Sequence, residues 1–291
     1  MRILILGATG MLGHKLWQKM RKDSDVYATV RRSPETLEAH GLFDANRLRG
    51  GVDACQFDSV TRAVADIRPD VVVNCIGIIK QQADAYDPVY ALTVNSIFPH
   101  KLKNLCNVLG ARLIQLSTDC VFSGKKGNYT EDDESDATDL YGRSKFLGEV
   151  SDEGCLTIRT SIIGPELSTK YGLLEWFRSN EGGKVKGYTN AIFSGFPTVV
   201  LWDIIGRIIA DHTDLSGVWH VSSDPISKHD LITLIKSTYG FHIDIEPDGV
   251  FSADRSLDSV RFRKRTGMKM PAWPDMVAVM AEDEDEEQGA Q

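Results

Sequence analysis

Ile3-Leu4-Ile5-Leu6-Gly7-Ala8-Thr9-Gly10-Met11-Leu12-Gly13 stands at the head of the chain, and its reading decides the fold. Four apolar residues stopped by a glycine read as a short strand buried on both faces. Met11 to Met20 then takes up helical spacing. Glycine is required where the backbone turns sharply out of the strand and where it must lie against a pyrophosphate. The helix opening at Met11 aims its free N–H groups and the positive end of its dipole at that place. An ordinary tight turn competes with this reading, but the position, at the first strand-to-helix junction, favours a dinucleotide turn. Gly7, Thr9, Gly10, Met11, Leu12 and Gly13 are therefore candidate cofactor contacts.

Further along, a second strand over about Val26 to Val30 runs into Arg31-Arg32-Ser33 with no acid at its end. A carboxylate there would bind a ribose hydroxyl of NAD, whereas an arginine accommodates the 2′-phosphate of NADP. Arg31 and Arg32 thus point to NADPH, with NADH the alternative donor and solvated surface charges the competing reading. Cys55 to Phe57 reads as a third strand, and Asp58 after it is placed to meet the adenine amino group or to cap the helix of Ser59 to Ile67. Asp70 to Cys75, with Val71-Val72-Val73, is a continuous apolar strand. A long helix is expected from Pro88 to Leu109, kinked at Pro99. Ala111 to Ser117, Leu140 to Val150 and Cys155 to Arg159 continue the alternation as strand, helix and strand.

Such alternation predicts an α/β fold, a doubly wound parallel Rossmann sheet over residues 1–165. A segment near 190–215, with a helix from about Trp202 to Asp211, is expected to rejoin it. Residues 166–280, with a helix at His229 to Tyr239, read as a smaller C-terminal substrate-binding lobe. The acidic run Glu282 to Glu287 marks 281–291 as a disordered, solvated tail.

Composition sets limits. The 291 residues are 42% hydrophobic, enough for a sizeable core, and the net charge of −8 argues against a nucleic-acid surface. The basic stretch Arg261-Phe262-Arg263-Lys264-Arg265 reads as a solvated helix face. Five scattered cysteines without a Cys-x-x-Cys pair fit neither a disulfide framework nor zinc, and a reducing cytoplasm is expected. The histidines lack ligand spacing, so no metal is assigned. No apolar run reaches membrane-span length, and the direct start into a strand reads as the absence of a signal peptide.

Tyr141-Gly142-Arg143-Ser144-Lys145 puts a tyrosine and a lysine four residues apart, on one face of a helix. Ketone reduction needs a hydride from the nicotinamide and a proton for the developing alkoxide. A tyrosine titrating near ~10 is a reluctant proton donor until a fixed ammonium brings it toward the working range. Alone the pair means little. Its neighbours are Ser117-Thr118-Asp119-Cys120-Val121-Phe122, at the carboxyl end of the preceding strand, where open α/β sheets bind ligands. Thr118 is placed to donate to a substrate carbonyl alongside Tyr141, or else merely caps a turn.

On these motifs the chain resembles the extended short-chain dehydrogenases, specifically the dTDP-4-dehydrorhamnose reductase family. Gly7 to Gly13, Arg68-Pro69-Asp70-Val71-Val72-Val73-Asn74, Ser117 to Phe122, Tyr141 to Lys145 and Arg159-Thr160-Ser161 follow in that family's order and spacing, and Phe196-Pro197-Thr198 and Arg255-Ser256-Leu257-Asp258 are similar to its substrate-lobe motifs. The resemblance implies Thr118, Tyr141 and Lys145 as catalytic residues. It implies pyrophosphate on Gly7, Gly10 and Gly13, and Asn74, Cys75, Ile76 and Gly77 beside the cofactor, with Ser117 also at the cofactor. It further implies a nucleotide-linked 4-keto-6-deoxy sugar as substrate, met by Asp119, Phe122, Trp176, Phe193 and Arg255, with a core role for Trp176 or Phe193 the competing reading; an arginine fork suits a diphosphate. A UDP-linked 4-keto-6-deoxy amino sugar for surface polysaccharide is an equal expectation, because Cys120 stands where the family commonly has tyrosine and Cys75-Ile76-Gly77 where it has alanines. A homodimer is the assembly left open.

Three other readings stay in view. A nucleotide-sugar dehydratase needs an acid pair after the threonine, but Cys120 follows Asp119. An epimerase usually carries an acid after the second strand, where Arg31-Arg32 stand. A non-catalytic regulatory subunit like that of methionine adenosyltransferase resembles the same family, and the intact Tyr141–Lys145 pair counts against it without removing it.

Overall fold

The computed structural model describes residues 1–33, 42–80 and 86–289, with side chains up to residue 286. The first unit comprises Met1–Ser117, Thr138–Ile158 and Ile204–Val218. Its sheet is built from β1 (Arg2–Leu6), β2 (Asp25–Thr29), β3 (Leu48–Arg49), β4 (Val71–Asn74), β5 (Arg112–Leu116), β6 (Cys155–Arg159) and, at one edge, β10 (Gly217–His220). The strand order is β10-β6-β5-β4-β1-β2-β3. β1 pairs in parallel with both β2 and β4, and β4 with β5, and β5 with β6. The direction of winding reverses between β1 and β4, the place where doubly wound sheets open a crevice at their carboxyl ends.

The continuous apolar runs are explained by cover on both faces: every residue of β4 and β6 is buried. One layer of the core joins Leu4, Leu6 and Val72 of the sheet to Val60, Val64 and Ile67 of α2 (Phe57–Ile67) and to Phe98, Leu102 and Cys106 of α4 (Phe98–Leu109). Leu12, Leu16, Trp17 and Met20 form the buried stripe of α1 (Met11–Met20). The helix expected to kink at Pro99 contains a π-helical segment at Thr93–Ile97, between α3 (Pro88–Leu92) and α4. Phe98 N–H reaches back five residues to Thr93 O. Proline has no N–H to bond the carbonyl four residues earlier, which is that of Asn95, so the ladder must shift there.

The third strand is corrected. It lies at Leu48–Arg49, paired with Ala28 and Thr29, whereas Cys55 and Gln56 form the turn that enters α2 and Phe57 is the first residue of that helix. Asp58 therefore sits exposed in the first turn of α2, and Gln56 takes the cap position.

The second unit comprises Thr118–Ala137, Arg159–Asp203 and Trp219–Gln291. The boundary drawn from sequence at residue 165 thus falls at 158, and residues 118–137 group with this unit. It holds β7 (Ile162–Ile163), α6 (Leu173–Arg178), β8 (Lys184–Phe193), β9 (Phe196–Pro197), β11 (Ile226–Ser227), α8 (Lys228–Tyr239), β12 (Asp244–Asp254), α9 (Val260–Thr266) and α10 (Trp273–Gly289); α7 (Thr198–Asp211) begins here and runs on into residues of the first unit. β8 carries β11 antiparallel on one side and β12 parallel on the other. No helix among the described residues is long and apolar enough to cross a membrane.

The expected disordered tail is corrected over residues 281–289, while 290–291 lie outside the described residues. Trp273, Met276, Val277 and Met280 form a buried stripe along α10, and the same spacing carries on to Asp283 and Glu284, which are buried too. Glu284 accepts two bonds from Arg178 Nη2, at 2.6 and 2.7 Å. The acidic run is thus a helix anchored at its apolar start and at a waiting guanidinium.

Candidate active site

In the first unit, the carboxyl edge of the parallel strands collects the expected cofactor residues. Gly7 has a φ of +83°, a conformation open to glycine, and a Cβ there would lie 3.0 Å from Ile76 Cγ1. Gly10 N–H donates to Gly7 O at 3.1 Å and closes the turn. Gly13 packs α1 onto β1: a Cβ at this position would fall 2.2 Å from Gly7 O. A Cβ at Gly10 would be 3.4 Å from the same oxygen, with nothing nearer, so the protein itself leaves space there. Thr9 and Gly10 are exposed on this turn, at the start of α1. These features fit a pyrophosphate. Arg31 and Arg32 stand exposed beyond β2, and Arg31 Nη1 donates to Tyr90 Oη at 3.0 Å.

At the end of β4, Asn74 donates to Gln115 Oε1 at 2.7 Å and accepts from Ile76 N–H at 3.0 Å, which shapes the Asn74–Gly77 turn. Cys75 follows, and burial pushes its thiol up to about 12 against the pull of Lys145. A Cβ on Gly77 would lie 3.7 Å from Lys145 Nζ. Asp139 caps α5 (Leu140–Leu147) by accepting from Gly142 N–H at 2.8 Å, and Tyr141 and Lys145 lie one turn apart on this helix. Lys145 is 7% exposed and donates from Nζ to Leu116 O at 2.6 Å, at the end of β5. Burial pulls its amine down to about 8, opposed by Glu149 and Cys75. Lys80 Nζ lies 5.6 Å from the centroid of the half-buried Tyr141 ring and pairs with Asp139 at 2.7 Å.

Asn95 is the residue that sequence reading missed. It lies in the π-helical segment, donates to Ser144 Oγ at 3.1 Å and accepts from Ile78 N–H at 3.0 Å, while Ser144 Oγ donates to Tyr141 O at 2.9 Å. Asn95 thereby fixes both the turn beside the cofactor edge and the helix that carries Tyr141 and Lys145. Pro99, four residues on, was the one local signal. Ser117 has a different use from the one expected: its hydroxyl donates to Glu149 Oε1 at 2.7 Å.

In the second unit, Thr118 is 6% exposed and caps a short 3-10 turn. Its Oγ1 accepts from Cys120 N–H at 3.1 Å and donates to Asp119 Oδ1 at 3.2 Å, so the capping reading holds locally. Asp119 is buried beside it. Phe122 is corrected as a substrate contact. Its ring is fully buried, stacked on Tyr129 at 4.1 Å, with Arg159 5.2 Å from its centroid. Only its carbonyl is used outward, accepting from Arg255 Nε at 2.9 Å. For Phe193 the competing core reading holds: it is 9% exposed and packs on Trp273 at 5.7 Å. Trp176, on α6, is 38% exposed. Arg255 has no acidic partner among the described residues. His220 is held neutral, its pKa pushed down to about 4 by burial and by Arg159. Its Nδ1 meets Tyr129 O at 3.0 Å and its Nε2 meets Arg159 Nη1 at 3.2 Å, which assigns the proton to Nδ1.

Several known proteins are similar to this chain in sequence or fold. A dTDP-4-dehydrorhamnose reductase of Streptomyces griseus is 35% identical over 149 residues, which is 51% of this chain and 43% of that protein. Methionine adenosyltransferase 2 subunit beta of Bos taurus is 29% identical over 150 residues, 51% of this chain and 41% of its own length. Less than half of each of these relatives is therefore matched. The crystal structure of dTDP-4-dehydrorhamnose reductase from Bacillus anthracis in complex with NADP superposes with a TM-score of 0.79 at 22% identity, over 97% of this chain and 99% of that one, which establishes the shared fold. The family model described as RmlD substrate binding domain matches residues 1–284, and the chain belongs to that family.

Proposed function

We propose that the chain is an NADPH-dependent reductase of a nucleotide-linked 4-keto-6-deoxy sugar, dTDP-4-dehydrorhamnose or a UDP-linked 4-keto-6-deoxy amino sugar. The observation that carries the reading is a buried lysine, Lys145, held at the end of β5 beside Gly77 and one helical turn from Tyr141, on the same sheet edge as the glycine cradle.

Gly7, Thr9, Gly10, Met11, Leu12 and Gly13 would hold the pyrophosphate, Arg31 and Arg32 the 2′-phosphate, and Asp58 the adenine amino group. Cys75, Ile76 and Gly77 would line the cofactor beside its ribose. Bound dihydronicotinamide supplies the hydride. Lys145 donates to a ribose hydroxyl and, as an ammonium, favours the ionised form of the Tyr141 phenol. Tyr141 Oη gives its proton to the alkoxide oxygen that develops on the substrate. Thr118 would turn its hydroxyl from Asp119 to the same oxygen, with Cys120 N–H still donating to Thr118 Oγ1, and the Asp119 carboxylate would be left to accept from a sugar hydroxyl. Arg255, whose Nε donates to Phe122 O, would pair with the diphosphate through its Nη atoms, and Trp176 would stack on the base. Conservation of the NADPH Kd in Tyr141→Phe with turnover reduced at least about a thousandfold supports these roles; substantial turnover in that variant overturns them.

The half-chain likeness to the beta subunits of methionine adenosyltransferase favours a second reading, a binding subunit that keeps the cofactor cradle. Tight NADPH binding without oxidation by any ketosugar would select it.

A further inference from the structure

Lys145 lies where an amine should lose its charge. It is almost fully enclosed, and its direct hydrogen-bond partner is a neutral carbonyl, Leu116 O. The residue after that carbonyl is Ser117, whose Oγ donates to Glu149 Oε1 at 2.7 Å. Glu149 is four residues beyond Lys145, past the Gly148 that ends α5. Its position is fixed on three sides. Glu149 N–H donates to Phe146 O at 3.1 Å, Val150 N–H donates to Thr157 Oγ1 at 3.0 Å, and Gly148 lies so close to Asn95 O that a Cβ there would overlap it. Amine, carbonyl, hydroxyl and carboxylate thus form one connected group at the end of β5.

The other titratable group acting on the amine is Cys75, on the turn after β4, while Tyr141 stands one turn earlier on the same helix. The Cys75 thiol stays neutral through the working range, since burial pushes it up to about 12. Glu149 is therefore the negative charge within electrostatic reach of the ammonium.

We propose that Glu149, held by Ser117, is a positioning residue for Lys145, its carboxylate supplying the counter-charge that keeps the amine an ammonium at neutral pH. Its consequence for catalysis rests on the reading of Lys145 given above. Without Glu149 the amine would enter the working pH range neutral, and the Tyr141 phenol would lose its cationic neighbour.

Lysine labelled with carbon-13 in the full chain reports the titration directly, with the Lys145 ε-methylene signal assigned through Lys145→Arg. Without cofactor, the expected midpoint is about 8 in the parent protein. In Glu149→Gln it falls by about one pH unit or more, and Glu149→Asp recovers most of the loss. Ser117→Ala, which keeps the carboxylate but frees it, gives a smaller fall and serves if Glu149→Gln does not fold. The pH at which the NADPH Kd begins to rise moves down in the same order. A Lys145 midpoint unchanged in Glu149→Gln, or in Ser117→Ala where that variant stands in, overturns the proposal. Failure of the parent protein to bind NADPH at any pH would instead overturn the function, and the lysine titration would still decide the role of Glu149.

Discussion

Gly10 and Gly13 separate the two duties of the glycine turn, folding and binding. A Cβ at Gly13 would stand 2.2 Å from Gly7 O, more than an ångström inside ordinary contact, so Gly13→Ala must push α1 away from β1. Overpacking of this kind costs about 1–3 kcal/mol. For a chain of this length that lowers Tm by roughly 2–5 °C. Gly10 differs. Its φ and ψ, −75° and 163°, suit any residue, and the nearest atom to an added Cβ is at 3.4 Å. Alanine in place of glycine at a helix cap costs about 0.5 kcal/mol, near 1 °C in Tm. The added methyl would instead occupy the space where a pyrophosphate must approach the N–H groups at the start of α1. Losing a charge-assisted hydrogen bond there is worth about 1.5–3 kcal/mol, or tenfold to over a hundredfold in Kd. Gly10→Ala is therefore expected to melt like the parent protein and bind NADPH at least about tenfold more weakly, by fluorescence titration. Gly13→Ala loses both stability and binding. Parent-like NADPH affinity in Gly10→Ala would refute the cradle.

Other expectations follow from particular contacts. Glu284→Ala removes both bonds to Arg178 and should lower Tm by about 2–5 °C; no change would mean that α10 is held by its apolar stripe alone. Arg31→Ala should raise the Kd for NADPH about tenfold or more and leave that for NADH nearly unchanged; equal effects on both would remove the 2′-phosphate role. Burial pulls the Lys145 amine from its ordinary 10.5 down to about 8 in the folded chain. The unfolded chain thus binds more protons between those values, and this group's contribution to stability rises as pH climbs from about 8 to 10.5. Denaturant unfolding of the parent protein and Lys145→Met should show a stability difference that shrinks over that window; a constant difference would contradict the assigned burial.

Much of this was legible in the sequence because the signals are local. The strand–glycine–helix start, the valine run of β4, and the tyrosine and lysine four apart each lie within a few residues, and each is governed by backbone geometry or a single periodicity. What sequence reading lost was non-local. β3 is two residues long and exists through its pairing with Ala28 and Thr29, so Cys55 to Phe57 looked the better strand. The acidic end of α10 resembles a solvated tail until Arg178, more than a hundred residues earlier, is known to meet Glu284. Phe122 and Phe193 have the residue type of a base-stacking platform, but Tyr129 and Trp273 cover them. The stripe from Trp273 through Met280 to Glu284 was present in the sequence and, extended one more turn, would have revealed the buried acids.

The central claim, hydride transfer from NADPH to a nucleotide-linked 4-keto sugar, is tested most directly by following the nicotinamide absorbance of NADPH with the purified chain and a panel of dTDP-, UDP- and GDP-linked 4-keto-6-deoxy sugars. Oxidation of NADPH with one of these sugars, abolished in Tyr141→Phe, is the predicted result. Tight NADPH binding with no oxidation across the panel would contradict the claim and move the account to the binding-subunit reading.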